Sequence, residues 1–157
     1  MAGLRRALVF GLAALALAAC SANPDANPAP VKLDDLDLKP YADKPCTLLT
    51  ADQLSEYGID KPGRPSHTVC WEAPSDPTKM NFAVGVGLGG HSSATPKLKI
   101  AGYPASEGSD DTLKTCTVTV YVAATQQLVV TLTGENPCHS AEMVATSAIG
   151  TIKQHSP

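Results

Sequence analysis

An apolar run from Ala7 to Ala19 ends on Leu17-Ala18-Ala19-Cys20, and four further cysteines follow at Cys46, Cys70, Cys116 and Cys138. Arg5 and Arg6 precede the run, so the first 20 residues have the order of a secretory signal peptide: charged start, apolar centre, small-residue cleavage site. The apolar run covers about 13 residues, short of the roughly 20 that a helix needs to cross a bilayer core. Export into an oxidising compartment turns the four downstream cysteines into a disulfide framework around which a small domain must fold.

Leu17-Ala18-Ala19-Cys20 resembles the bacterial lipobox, in which the cysteine thiol is alkylated with diacylglycerol and the peptide bond before it is cut. The expectation is a signal peptide over residues 1–19 and a Cys20 carrying acyl chains of the palmitate class on the extracytoplasmic face of the cell membrane. An ordinary small-residue cleavage site is the alternative, and it would leave Cys20 as an odd thiol. Lipidation accounts for the odd count of five cysteines. Each buried methylene contributes about 0.8 kcal/mol, and two or more chains hold where one would exchange. The residues flanking Arg5-Arg6 match a twin-arginine signal poorly, which favours general secretion.

The formal net charge is −3. It becomes more negative once Arg5 and Arg6 are removed, and no Lys/Arg cluster follows. Such a surface lacks the footprint for a phosphate backbone, and 4% aromatic residues leave few stacking platforms, so nucleic acid is excluded as a partner. Residues 20–45 are dominated by Pro, Ala, Asn and Asp and are expected to form a disordered spacer holding residues 46–157 off the lipid headgroups. Asp34, Asp35 and Asp37 lack the glycine and terminal Glu of an EF-hand loop and read as solvated residues, not as calcium ligands.

Helix-start signals converge at Thr50: Thr50 as N-cap, Gln53 at the capping-box position, Leu49 facing Leu54 as a staple, and Gly58 as the C-terminal stop. A turn over Lys61–Ser66 and an extended run His67–Ala73 follow. Phe82, Val84, Val86 and Leu88 alternate with Ala83, Gly85, Gly87 and Gly89 in a strand with one bare face, which predicts close approach by another element, such as a helix. Residues 90–111 read as loop with a short strand at Lys97–Ala101. Thr115–Val122 and Gln127–Thr133 alternate as a hairpin. Asn136 as N-cap and Pro137 at the first helical position open a helix ending near Lys153, with Cys138, Ala141, Ala145, Ala148, Ile149 and Ile152 as its stripe.

The four cysteines allow three pairings. Each half of the domain pairs a helix with an adjoining strand and contains two cysteines at corresponding places, which favours Cys46 with Cys70 and Cys116 with Cys138. A zinc site is disfavoured because the chain has no Cys-x-x-Cys and because His67, His91, His139 and His155 lack ligand spacing.

Several segments in this order resemble the actinobacterial lipoproteins of the domain of unknown function 3558 family. They are the lipobox and tether, Pro45-Cys46-Thr47-Leu48-Leu49-Thr50, Cys70-Trp71, Gly102-Tyr103-Pro104-Ala105, Cys116-Thr117-Val118-Thr119-Val120 and Asn136-Pro137-Cys138 with Ala141. In the family pattern the cysteine and tryptophan are often one residue apart, whereas here they are adjacent, which leaves open the way Trp71 faces. The resemblance implies an α+β fold, similar to PsbP-like and sensor-type exported domains, with two disulfides and a lipid anchor. It implies no activity. Together with the residue pattern, the expectation is an antiparallel sheet of four to five strands against a short N-terminal and a longer C-terminal helix.

Gly85-Val86-Gly87-Leu88-Gly89-Gly90 matches a dinucleotide fingerprint in spelling only, because a polar stretch closed by Pro96 follows where a helix must start. No cofactor is expected. A hydrolase would need Ser92, Ser93 or Ser106 with His91 or His139 and an acid such as Glu107 or Asp110, and no Gly-x-Ser-x-Gly elbow is present. Glu72, Asp76, Glu107 and Glu135 offer carboxylates for glycoside cleavage, at separations that spacing leaves open. The sequence therefore favours a non-enzymatic binding or sensing module for a small ligand or an envelope protein. The alternatives are a cell-envelope hydrolase and a purely structural lipoprotein. Trp71, Tyr103 and His91 are the candidate binding residues, lining a shallow groove, unless Trp71 packs on a disulfide as core.

Overall fold

A computed structural model of the chain describes residues 33–59, 63–72, 81–89 and 95–155. The expected signal peptide, Cys20, His91, Ser92, Ser93 and Asp76 lie outside them. After a four-residue helix, α1 (Lys39–Ala42), and a 3-10 turn over Pro45–Thr47, the chain enters α2 (Ala51–Glu56). The capping box forms as expected: Gln53 N–H donates to Thr50 Oγ1 at 3.2 Å, and Thr50 N–H to Gln53 Oε1 at 2.7 Å. Gly58 follows in the left-handed region at φ +70°.

Among the described residues seven strands form one antiparallel sheet, two or three more than expected. They are β1 (Arg64–Ser66), β2 (Val69–Glu72), β3 (Asn81–Leu88), β4 (Leu98–Ile100), β5 (Tyr103–Asp110), β6 (Thr115–Ala123) and β7 (Gln126–Thr133), in spatial order β1-β2-β3-β7-β6-β5-β4. One extra strand is β1, in the segment expected as a turn: the reversal falls instead at His67, at φ +52°, and pairs Arg64–Ser66 with Val69–Trp71. The other is β5, expected as loop. Ser106 to Asp110 carries no apolar alternation, yet its backbone pairs with β6 from Ala105 opposite Val120 to Asp110 opposite Thr115. Pairing with a strongly alternating neighbour supplied what the local pattern lacked.

The chain closes on α3 (Pro137–His155), two residues beyond the expected end. Its Ala141, Val144, Ala145, Ala148, Ile149 and Ile152 are fully buried against β6 and β7, where Val118, Val120, Leu128, Val130 and Leu132 are likewise inaccessible. Small residues along the stripe let the helix sit close to the sheet. Thr151 is the buried polar residue of this layer, and its hydroxyl is satisfied by Ser147 O at 3.2 Å and by Gln53 Oε1 at 3.1 Å. Gln53 therefore caps α2 and also joins it to α3.

Two disulfides fasten the helical side to the sheet: Cys46–Cys70 and Cys116–Cys138, with Cα atoms 4.9 Å and 5.0 Å apart. The sequential pairing is the one formed. Gly63 lies over the first bridge, and a Cβ there would fall 2.7 Å from Cys70 Sγ and 2.8 Å from Trp71 O, so only glycine fits.

The expected spacer boundary at residue 45 is corrected. Leu36 and Leu38 are core residues, at 6% and 0% exposure. Leu36 N–H donates to Val122 O at 3.1 Å, Leu38 N–H donates to Gln126 Oε1, and Tyr103 Oη donates to Asp34 O at 2.8 Å. The folded domain therefore begins by Leu33. Its acidic residues alternate with leucines that have somewhere to pack.

The chain-entropy model assigns each bridge, closing a loop of 24 or 22 residues, about 3 kcal/mol of stability. A Cys116→Ala/Cys138→Ala variant is expected to lose that amount in urea unfolding, and a loss below about 1 kcal/mol would contradict it. Leu38→Ala is expected to cost about 2–5 kcal/mol. A cost near zero would return residues 33–38 to the spacer.

Candidate binding surface

The register of the sheet divides the strand residues between two faces, since paired residues in an antiparallel ladder point the same way. Cys70, Val84, Val130 and Val118 share the face covered by α3. Arg64, Trp71, Ala83, Thr131, Thr117 and Gly108 share the other. No helix of the described residues covers that second face.

Trp71 stands on it at 43% exposure. The reading of Trp71 as core packed on a disulfide is overturned by parity: Cys70 points inward to its bridge, so the next residue points outward. Gly85 and Gly87 form the lane beside it, and no helix of the described residues approaches them. A Cβ on Gly85 would meet Val69 Cγ2 at 2.8 Å, and one on Gly87 would meet Gln127 Cγ and Nε2 at 2.6 Å, so side chains from the neighbouring strands fill the lane. Gln127 Oε1 is buried there, with no hydrogen-bond partner among the described residues.

The rest of the face is polar. Thr115 and Thr133 hydroxyls lie 3.0 Å apart, as do those of Thr117 and Thr131, and Ser106 Oγ lies 2.9 Å from Tyr121 Oη. Cross-strand threonine pairs support the register and keep the face wettable.

Tyr103 lies elsewhere. It is buried at 4% exposure on the helix-covered face near the opposite edge of the sheet, with its ring 5.0 Å beneath Lys153 Nζ. Burial raises its phenol pKa, and the negative charges of Asp34 and Asp35 raise it further. The structure does not bring Trp71 and Tyr103 into one groove, and His91 lies outside the described residues.

Of the hydrolase candidates, Ser106 is held by Tyr121, while Asp110 Oδ1 accepts from Thr112 N–H at 2.9 Å and Leu113 N–H at 3.0 Å to shape a turn. His139 is exposed in the first turn of α3. Glu107 lies with the Cys116 and Cys138 sulfurs inside 4.8 Å, but both sulfurs are spent in the disulfide and offer a metal no thiolate.

A family model described as "Protein of unknown function (DUF3558)" matches residues 15–151. The chain belongs to the DUF3558 family. No curated protein and no solved structure matches it. The match spans both disulfides and most of α3, so the clamped α+β layer pair described above is the body of a DUF3558 domain.

Trp71 is the only tryptophan, which makes its fluorescence a direct test of the placement. Its emission is expected to be red-shifted and readily quenched by acrylamide in the native state. A blue-shifted, protected signal would mean a buried ring. Tyr103 adds a pH test. Its folded pKa is raised, so above about pH 10 the unfolded chain loses the phenol proton first and stability falls as pH rises. Tyr103→Phe is expected to flatten part of that decline, with Tyr41, also raised by burial, keeping the remainder. An unchanged slope in Tyr103→Phe would contradict the assignment.

Proposed function

We propose that this DUF3558 chain is an exported lipoprotein held at the extracytoplasmic face of the cell membrane through Cys20, and that its domain is a non-enzymatic binding module. The module offers the helix-free face of the sheet to an envelope protein or small ligand. The observation that carries the reading is the exposure of Trp71. In a chain with 4% aromatic residues, the single tryptophan is spent on the surface instead of in the core. Tryptophan gives a rigid, largely apolar contact area with a polar N–H and is enriched at recognition sites. Val69 and Val129 flank the Gly85 lane at intermediate exposure, and the threonine ladder supplies hydroxyls around it. The likeness to PsbP-like exported domains belongs to the same proposal and is supported by the layering of helices on one sheet face.

Two measurements test it. Intact-mass analysis of the chain extracted from membranes is expected to find Cys20 as the N-terminus with a diacylglyceryl adduct, and Cys20→Ser is expected to release the chain from the membrane fraction. An unmodified N-terminus would contradict the anchor. Capture from native membranes with the full lipidated chain is expected to retain a specific partner that Trp71→Ala loses while keeping its thermal transition. Undiminished capture by folded Trp71→Ala would contradict the surface.

A further inference from the structure

We propose that the end of the sheet marked by Gly102, Lys99 and Leu88 is the end apposed to the bilayer, resting against anionic lipid headgroups, while the end marked by Asp110, Leu113 and Glu135 points away from it. This rests on the reading that Cys20 carries the lipid.

The two ends are defined by the ladder. Tyr103, Val122 and Gln126 lie toward one end, with Leu88 paired to Gln126; Asp110, Thr115, Thr133 and Asn81 lie level at the other. A strand the length of β5 separates them, about 25 Å at 3.4 Å per residue. The chain coming from Cys20 joins the fold at the first end. Leu33 packs there so closely that a Cβ on Gly102 would lie 3.1 Å from Leu33 Cδ1, and Asp34 O is fixed by Tyr103 Oη at 2.8 Å. Residues 21–32 are all that separate Cys20 from Leu33, and fully extended they reach at most about 45 Å. Because the chain joins the fold at the first end, presenting that end to the lipid leaves the tether slack. Presenting the second end requires the tether to span the length of the sheet as well, at a cost in chain entropy.

Charge acts in the same direction. Lys97 and Lys99 are exposed on the edge strand of the first end, Lys153 is exposed above Tyr103 there, and Lys39 follows Leu38 beside Gln126. The same end also carries Asp34, Asp35 and Asp37 of the entering segment. The second end carries Asp110, Asp111 and Glu135 against Lys114, with Arg64 two residues in from that end. An anionic surface therefore disfavours the second end more than the first. Leu88, at 49% exposure, adds an apolar contact to the first end.

The test adds the purified lipidated full chain to preformed vesicles of phosphatidylcholine with phosphatidylglycerol. A membrane-impermeant amine reagent then labels exposed lysines, read by mass spectrometry. Relative to the Cys20→Ser chain free in solution, Lys99 and Lys153 are expected to label at least threefold more slowly, with Lys114 unchanged. Vesicles of phosphatidylcholine alone are expected to weaken that protection. A chain that fails to float with the vesicles overturns the lipid-anchor reading and this proposal with it. A chain that floats but labels evenly, or protects Lys114 instead, overturns the orientation alone, and equal protection on neutral vesicles overturns the role of the charge.

Discussion

The Cys116–Cys138 bridge joins a central strand to the first turn of the long C-terminal helix on the buried side of the sheet, and the rest of the architecture follows from that attachment. One helix and one sheet face make up most of the core, and a core with so few layers has little burial to spare against chain entropy. Tying α3 at its start fixes which of its sides meets the sheet. The run of alanines and isoleucines can then pack without searching for register. The second bridge, Cys46–Cys70, does the same for the N-terminal helical segment at the other side of the sheet. With both bridges on one face, the fold has a stapled side and a free side.

The free side is where recognition can be placed at low cost. Residues there contribute to sheet register through threonine pairs but little to the core, so the face can change its side chains without unmaking the fold. Trp71 illustrates the division: its neighbour Cys70 belongs to the stapled side, and Trp71 itself belongs to the free one. The same logic locates Tyr103. It is part of the latch that receives the incoming chain, where its hydroxyl fixes Asp34 and its ring carries Lys153. An aromatic residue in this domain is thus either structural or presented, depending on strand parity.

Much of this was legible in the sequence. Thr50 and Gln53 announce their helix through reciprocal hydrogen bonds that depend on local spacing alone, and the alternation in β6 and β7 reflects a sheet with one buried face. The cysteine pairing was readable because each pair straddles a helix and its strand. The misses have physical causes. β5 is held by its neighbour's pattern instead of its own. The β1–β2 turn uses His67 in a left-handed conformation where Gly or Asn would have flagged it. The entering segment hid Leu36 and Leu38 among aspartates, although Asp35-Leu36-Asp37-Leu38 already shows the period of a half-buried extended strap. The facing of Trp71 stays open until its strand is known, because only then does parity with the bridged Cys70 send it outward, and the same parity puts Tyr103 on the other face, away from any groove with Trp71.

Peptide mapping of the native, unreduced protein by mass spectrometry tests this account most directly. It should recover two cross-linked species, one joining the peptides of Cys46 and Cys70 and the other those of Cys116 and Cys138, with no free thiol at any of the four. A crossed pairing, or free thiols at Cys116 and Cys138 in freshly purified material, would mean that the helix is not fastened to the sheet in this way and that the division into a stapled and a free face does not hold.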